Sequence, residues 1–147
     1  MGYPTYGPSS QNAANYQKIK IETATPEALI LMLYDGALRF MAQAEAAFEE
    51  NNIEKINNFL LRVQAIFTEL QCSLDREKGG DIATNLERLY IFFNSRLVEA
   101  NMKKDVQYLQ EIKPMVQNLR DTWEVAMQKH QSTQSTVPPR PRLNLSA

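Results

Sequence analysis

Ile53, Ile56, Leu60, Val63, Phe67, Leu70 and Leu74 recur at alternating spacings of three and four over three heptads. An α-helix turns about 100° per residue, so this rhythm lays all seven side chains on one stripe of one helix. A stripe that holds the alternation along its whole length packs on neighbours that run nearly parallel to it, at the shallow crossing angle of a bundle. Glycine is scarce, five in 147 residues, and no strand-like alternation competes. The stripe therefore needs other helices to cover it.

The chain supplies three. The first begins at Thr25, an N-cap type, with Pro26 at the first helical position and Glu27 facing the positive end of the helix dipole. Its stripe is Ile30, Leu33, Tyr34, Ala37, Phe40, Met41, Ala44 and Phe48, ending near Glu50 where Asn51 and Asn52 predict a turn. After the heptad helix, the segment Asp75 to Gly80 breaks the pattern with two glycines, and Asp81 is the expected cap of the next helix. That helix carries Ile82, Leu86, Leu89, Tyr90, Phe93, Leu97 and Ala100. A link around Asn101 to Lys104 leads to Asp105 as the last cap, then to Leu109, Ile112, Val116, Leu119, Trp123 and Met127. Pro114 falls inside this last stripe and removes one backbone hydrogen bond, so the helix is expected to kink or split there. Four amphipathic helices of roughly 20 to 25 residues joined by short links predict an all-α, antiparallel four-helix bundle. It spans residues 21–130. Residues 1–20, rich in Gly, Pro, Ser, Asn and Tyr, predict a flexible arm, and residues 131–147 a disordered, proline-rich tail. Within that tail Pro138, Pro139, Arg140 and Pro141 suit either a solvated end or a polyproline-II ligand.

Composition removes several function classes. A net charge of −1 argues against nucleic acid, whose phosphates need a concentrated basic surface. No apolar run approaches the roughly 20 residues of a membrane span, so membrane insertion is not expected. Cys72 is the only cysteine and His130 the only histidine. That inventory excludes a Glu-x-x-His di-iron site and the common zinc sites. Cys72 has no activating histidine near it in sequence, and Gly79-Gly80 has neither the strand nor the Lys-Ser/Thr of a phosphate loop. No cofactor, metal or catalytic residue is expected. The lone cysteine and the lack of a signal-peptide pattern point to the cytosol.

The surplus is apolar surface. Ala28 to Tyr34 are seven consecutive apolar residues, enough to circle the first helix. With its stripe turned inward, Leu29, Met32 and Gly36 form one shoulder, and Leu31 and Leu38 the other. A glycine in mid-helix costs about 1 kcal/mol relative to alanine. At Gly36 the missing side chain either opens a shallow trough or lets another helix approach closely. On the heptad helix Phe59 and Ile66 widen the stripe on one side. Upstream, Tyr16 and Ile21 either fold back over exposed apolar surface or, for Ile21, make an ordinary staple at the helix start.

These same residues resemble a known family. Tyr16-Gln17, Thr23-x-Thr25-Pro26-Glu27-x-Leu29-Ile30, and Leu33-Tyr34-Asp35-Gly36-Ala37 resemble the FliS flagellar export chaperones. The likeness continues through Leu74-Asp75, Gly79-Gly80-x-Ile82-Ala83-x-Asn85-Leu86, Leu89-Tyr90, Arg96-Leu97 and Leu119-Arg120-x-x-Trp123. The resemblance implies a cytosolic chaperone of the disordered C-terminal segment of flagellin. Such a chaperone prevents premature polymerisation and assists delivery to the flagellar type III export gate. It also implies that the client folds onto apolar grooves of the bundle, which the tyrosine-bearing N-terminal segment covers in the free state. By position Tyr16 and Gln17 then take the role of the cap, and Leu29, Met32, Phe59, Ile66 and Tyr90 belong to the client surface; Ile21 and Gly36, singled out from the helix pattern, complete the expected partner-binding residues. The Gly/Pro/Tyr-rich start and the proline-rich tail depart from the family's pattern. The residues leave one alternative open: a bundle that self-associates, as a homodimer or adaptor, through the same apolar shoulders.

Overall fold

The computed structural model describes residues 8–136. Five helices occupy almost all of them: α1 (Pro8–Thr23), α2 (Pro26–Glu49), α3 (Ile53–Cys72), α4 (Arg76–Lys103) and α5 (Gln107–Thr136). Helices α2 and α4 each pack on both α3 and α5, so the four close into a ring around one core. Links as short as 50–52, 73–75 and 104–106 leave no room for a crossover, which makes sequence neighbours antiparallel. Helix α1 stands outside this ring.

Local chemistry sets the boundaries. Thr25 accepts the amide of Ala28 at 3.1 Å, and Asn52 accepts that of Lys55 at 3.1 Å. Asp105 accepts the amide of Gln107 at 2.9 Å. These side chains satisfy amides that a helix start leaves without intrahelical partners. Asn51 and Lys104 take the left-handed conformation that ends a helix, with φ of 54° and 51°. The ammonium of Lys104 then binds the side-chain oxygens of Asn57 and Asn101 and the Asn101 carbonyl, each at 2.7 Å, pinning the end of α4 to α3.

Four expectations change. The cap of α4 is Asp75, which accepts the Lys78 amide at 3.1 Å, not Asp81. The glycines do not separate α3 from α4. They bend α4 instead: Gly80, at φ 52° and ψ −126°, is a kink that only a residue without Cβ takes easily. At the turn after the kink Ala83 is buried, while Ile82 of the expected stripe stays 71% exposed. Second, of the kink or split expected at Pro114 the split does not occur, because α5 runs through it from Gln107 to Thr136. Pro114 and Gln110 both lie on the exposed side, where water can serve the carbonyl that the proline leaves without a donor. Third, the segment before α2 is not without structure: it forms α1, exposed at every described side chain. Fourth, α5 continues to Thr136, beyond the expected end at His130. The proline motif at 138–141 lies outside the described residues.

The core follows the stripes closely. Phe67 lies at its centre, with ring centroids 6.1 Å from Tyr90 and 5.1 Å from Phe93. Across the ring, from α2 to α4, the hydroxyls of Tyr34 and Tyr90 meet at 2.5 Å. Both tyrosines are 2% exposed, so each hydroxyl has given up water and holds the other in exchange. Burial pushes the ionisation of both above the ordinary value of 10.0. Between α2 and α3, a Cβ built on Gly36 would lie 3.3 Å from the terminal methyl of Ile66. Gly36 thus serves close approach: Ile66 occupies the space that a side chain would take.

These contacts make three testable predictions. Tyr34→Phe should cost about 1–3 kcal/mol by stranding the Tyr90 hydroxyl, whereas replacing both tyrosines by Phe should cost less, as a denaturant double-mutant cycle would report. Because ionisation is harder in the folded than in the unfolded state, the pair stabilises fully below pH 10 and less as pH rises further. Stability should fall there by up to about 1.4 kcal/mol per pH unit for each tyrosine, and the double-Phe variant should fall less steeply. Gly36→Ala gains about 1 kcal/mol of helix propensity against a small shift of the half-buried Ile66. Thermal melts should show unchanged or raised stability, and a loss above about 1 kcal/mol would mean that Ile66 cannot move.

Candidate partner-binding site

The first half of α2 is flanked by two open clefts. The larger, of about 640 Å³, lies where α1 passes α2 and α3. Leu29, Met32, Leu33, Gly36 and Phe40 line it from α2, and Ile66 and Glu69 from α3. Gln17, Lys20 and Ile21 line it from α1. Seven consecutive apolar residues cannot all face one core, and those on the Leu29–Met32 side of α2 end up here. Leu29 is 36% exposed, and Ile66 and Met32 are half-buried. The outer wall, α1, exposes Tyr16, Ile19 and Ile21 by half or more.

Six of the nine residues singled out in the sequence therefore line one cleft: Gln17, Ile21, Leu29, Met32, Gly36 and Ile66. Tyr16 is adjacent in sequence to Gln17 but is not part of the lining, and it is 66% exposed. Phe59 is half-buried and stacks on Phe40 with ring centroids 6.2 Å apart, which places it just beyond the lined end. Tyr90 is apart from the rest: it is buried in the core and lines the floor of the second cleft.

That second cleft, of about 480 Å³, opens at the end of the bundle where all four ring helices contribute. Ile30, Leu74, Ile82, Leu86 and Trp123 give it an apolar lining above Tyr34 and Tyr90. Trp123 fixes one edge, its indole N–H donating to the Glu27 carbonyl at 2.9 Å. Sequence reasoning placed its residues in the core stripes and missed the opening. The bend at Gly80, which leaves Ile82 outward, is the signal that the paired glycines carried.

Charge is distributed unevenly around the larger cleft. Asp35 on its rim pairs with Arg120, whose Nε donates at 2.7 Å and whose other nitrogens reach Asp121 and Glu124. Those carboxylates raise the Arg120 ionisation further above its already high value, Asp35 first. Arg39 and Arg62 at the far end meet aromatic faces instead: Arg39 over Phe40, and Arg62 over Phe40 and Phe59. Arg39, Arg62 and Lys20 were not among the sequence candidates, because surface cations carry no periodic signal, and Phe40 was assigned to the core stripe. Among the described residues no three His, Cys, Asp or Glu side chains cluster to hold a metal, and no helix is long and apolar enough to cross a membrane. What the arrangement offers is apolar surface for another polypeptide.

Comparison with known proteins agrees with that character. Residues 9–130 match the family model described as flagellar protein FliS. The flagellar secretion chaperone FliS of Bacillus subtilis (strain 168) is 37% identical over 113 residues, covering 77% of this chain and 84% of that protein. The protein of the same name from Salmonella typhimurium is 34% identical over 113 residues, covering 74% and 84%. That of Campylobacter jejuni is 36% identical over 118 residues, covering 80% and 87%. With the match running from α1 through the α2–α5 ring, the chain belongs to the FliS family of flagellar secretion chaperones.

Proposed function

We propose that this chain is a cytosolic export chaperone that binds the disordered C-terminal segment of flagellin, keeps it from polymerising early, and helps deliver it to the flagellar type III export apparatus. The observation that carries this reading is the open apolar cleft along α2, walled by a helix that has no place in the bundle ring. Leu29, Met32, Gly36, Phe59 and Ile66 form the client surface. Tyr16, Gln17 and Ile21, on α1, form the cap that gives way as the client seats. Tyr90 supports the second cleft from below. The FliS family is a chaperone family and not an enzyme family, and its action is binding.

The energetics suit a long, shallow site. A client that folds on binding spends about 2–5 kcal/mol or more on ordering and buries about 1,000–3,000 Å² in return. Both clefts touch the first turns of α2, so one extended client can occupy the first, pass the start of α2 and reach the second. An α1 that packs on little else gives way at low cost. Export-gate components form the second class of partner.

A self-associating bundle is the other reading, and a stripe on α4 favours it: Ile91, Val98 and Met102 are exposed and line neither cleft. Light scattering of the protein alone reads this directly, a dimer supporting it and a monomer removing it.

For the client, native mass spectrometry with flagellin should show a complex that disappears when flagellin's C-terminal segment is deleted. Binding that survives the deletion would place the client site elsewhere. Tyr16→Ala should alter client affinity or on-rate while leaving the melting temperature nearly unchanged, since Tyr16 is largely exposed.

A further inference from the structure

Resting on the reading of the larger cleft as the client site, we infer that Arg39 and Arg62 form a carboxylate anchor at its Phe40 end. The occupant is an amphipathic client helix that carries an acidic side chain beside its apolar face. The two arginines come from different helices, α2 and α3, and converge on one aromatic plate. Phe40 and Phe59 stack at 6.2 Å with 27° between their planes. The Arg39 guanidinium lies 5.2 Å from the Phe40 centroid. That of Arg62 lies 5.5 Å from Phe40 and 5.8 Å from Phe59.

A guanidinium lying on a ring face spends its π surface there, while its N–H donors point outward in the plane. Those donors form the fork that takes a carboxylate by two parallel hydrogen bonds. Arg76, Arg96 and Arg120 already hold carboxylates of this chain. Arg39 and Arg62 hold none, and both are exposed. Arg39 also leans over the cleft, its Nη2 lying 3.8 Å from where a Gly36 Cβ would be. The missing side chain at Gly36 therefore makes room for Ile66 below and Arg39 above.

The balance of charge points the same way. Lys20 and Arg39 line the cleft and Arg62 stands beside its end. Of the acids on the lining, Asp35 is held by Arg120, which also pairs with Asp121 and Glu124, and neither Asp35 nor Glu69 pairs with Arg39 or Arg62. Arg39 and Arg62, which no carboxylate of this chain holds, thus put two guanidinium groups at the Phe40 edge of an apolar groove. An apolar helix alone would gain nothing from them, whereas one with a flanking carboxylate gains register, direction and a faster encounter. Contact with the rings restrains both guanidinium groups before a client arrives, which lowers the freedom lost on binding.

The test titrates a labelled flagellin C-terminal segment with the full chain, at low and at high salt. The wild type should bind, and more weakly as salt rises. Arg39→Gln/Arg62→Gln should bind about tenfold or more weakly at low salt with a flatter salt response, and its melting temperature should be unchanged. Arg39→Lys/Arg62→Lys should recover the salt response but only part of the affinity. Replacing the client's Asp and Glu residues one at a time by Asn or Gln should reveal one that matters for wild type and not for the double-Gln variant. If the wild type binds and the double-Gln variant binds equally, with the same salt slope, the anchor is wrong and the client site stands. If the double-Gln variant is weaker but no client carboxylate couples to it, the arginines only cover the phenylalanines and the proposal falls. If the wild type does not bind the segment at all, the reading of the cleft fails first, and the anchor with it.

Discussion

Helix α2 is apolar around its whole circumference over its first turns, and one core cannot cover a full circle. The bundle takes the Tyr34, Ala37, Met41 and Ala44 side, where α3 and α5 close over it and Tyr90 reaches across from α4. Leu29 and Met32 are turned toward α3 but lie above its contact, and Ile30 faces the bundle's open end. Everything distinctive about the surface follows from that division. The larger cleft exists because α3 meets α2 through Ile66 at Gly36 and leaves the turn before it uncovered. Helix α1 lies against that turn because it is the nearest apolar surface to which a short segment tethered at Thr23 has access.

The ring of helices was legible because burial imposes a period. Ile56, Leu60, Val63, Phe67 and Leu70 are all buried, as the heptad spacing requires, and Thr25 caps α2 as its side chain and the following proline predict. The parts that were not legible have no period to read. Asp75 and Asp81 are equally good caps in sequence, and only the position of Gly80 in the folded chain decides between them. Helix α1 carries too few apolar residues to announce an amphipathic face, so its composition predicts an arm. Tyr90 matches the stripe and the family motif alike: its hydroxyl meets Tyr34 in the core, and the residue also lines the second cleft. The gathering of Gln17, Ile21, Leu29, Met32, Gly36 and Ile66 was legible for a different reason. A surplus of apolar surface on one helix, and a glycine in its middle, mark where something else must come close.

A site for a client that must later be released faces opposing demands. Apolar contact gives affinity without direction, because it is proportional to area and indifferent to register. A deep pocket would fix the register but slow the release, since dissociation carries most differences in affinity between related complexes. The larger cleft avoids depth: it is open along its length, its floor is a helix surface, and α1 walls it from outside the ring. Direction then has to come from polar groups at its edges, where solvent keeps each interaction modest and quick to break. Arg39 and Arg62 are placed for that task, held by Phe40 and Phe59 so that little order is lost when a carboxylate arrives. On this view the apolar surplus of α2 sets how tightly a client is held, and the two arginines set which way round it lies.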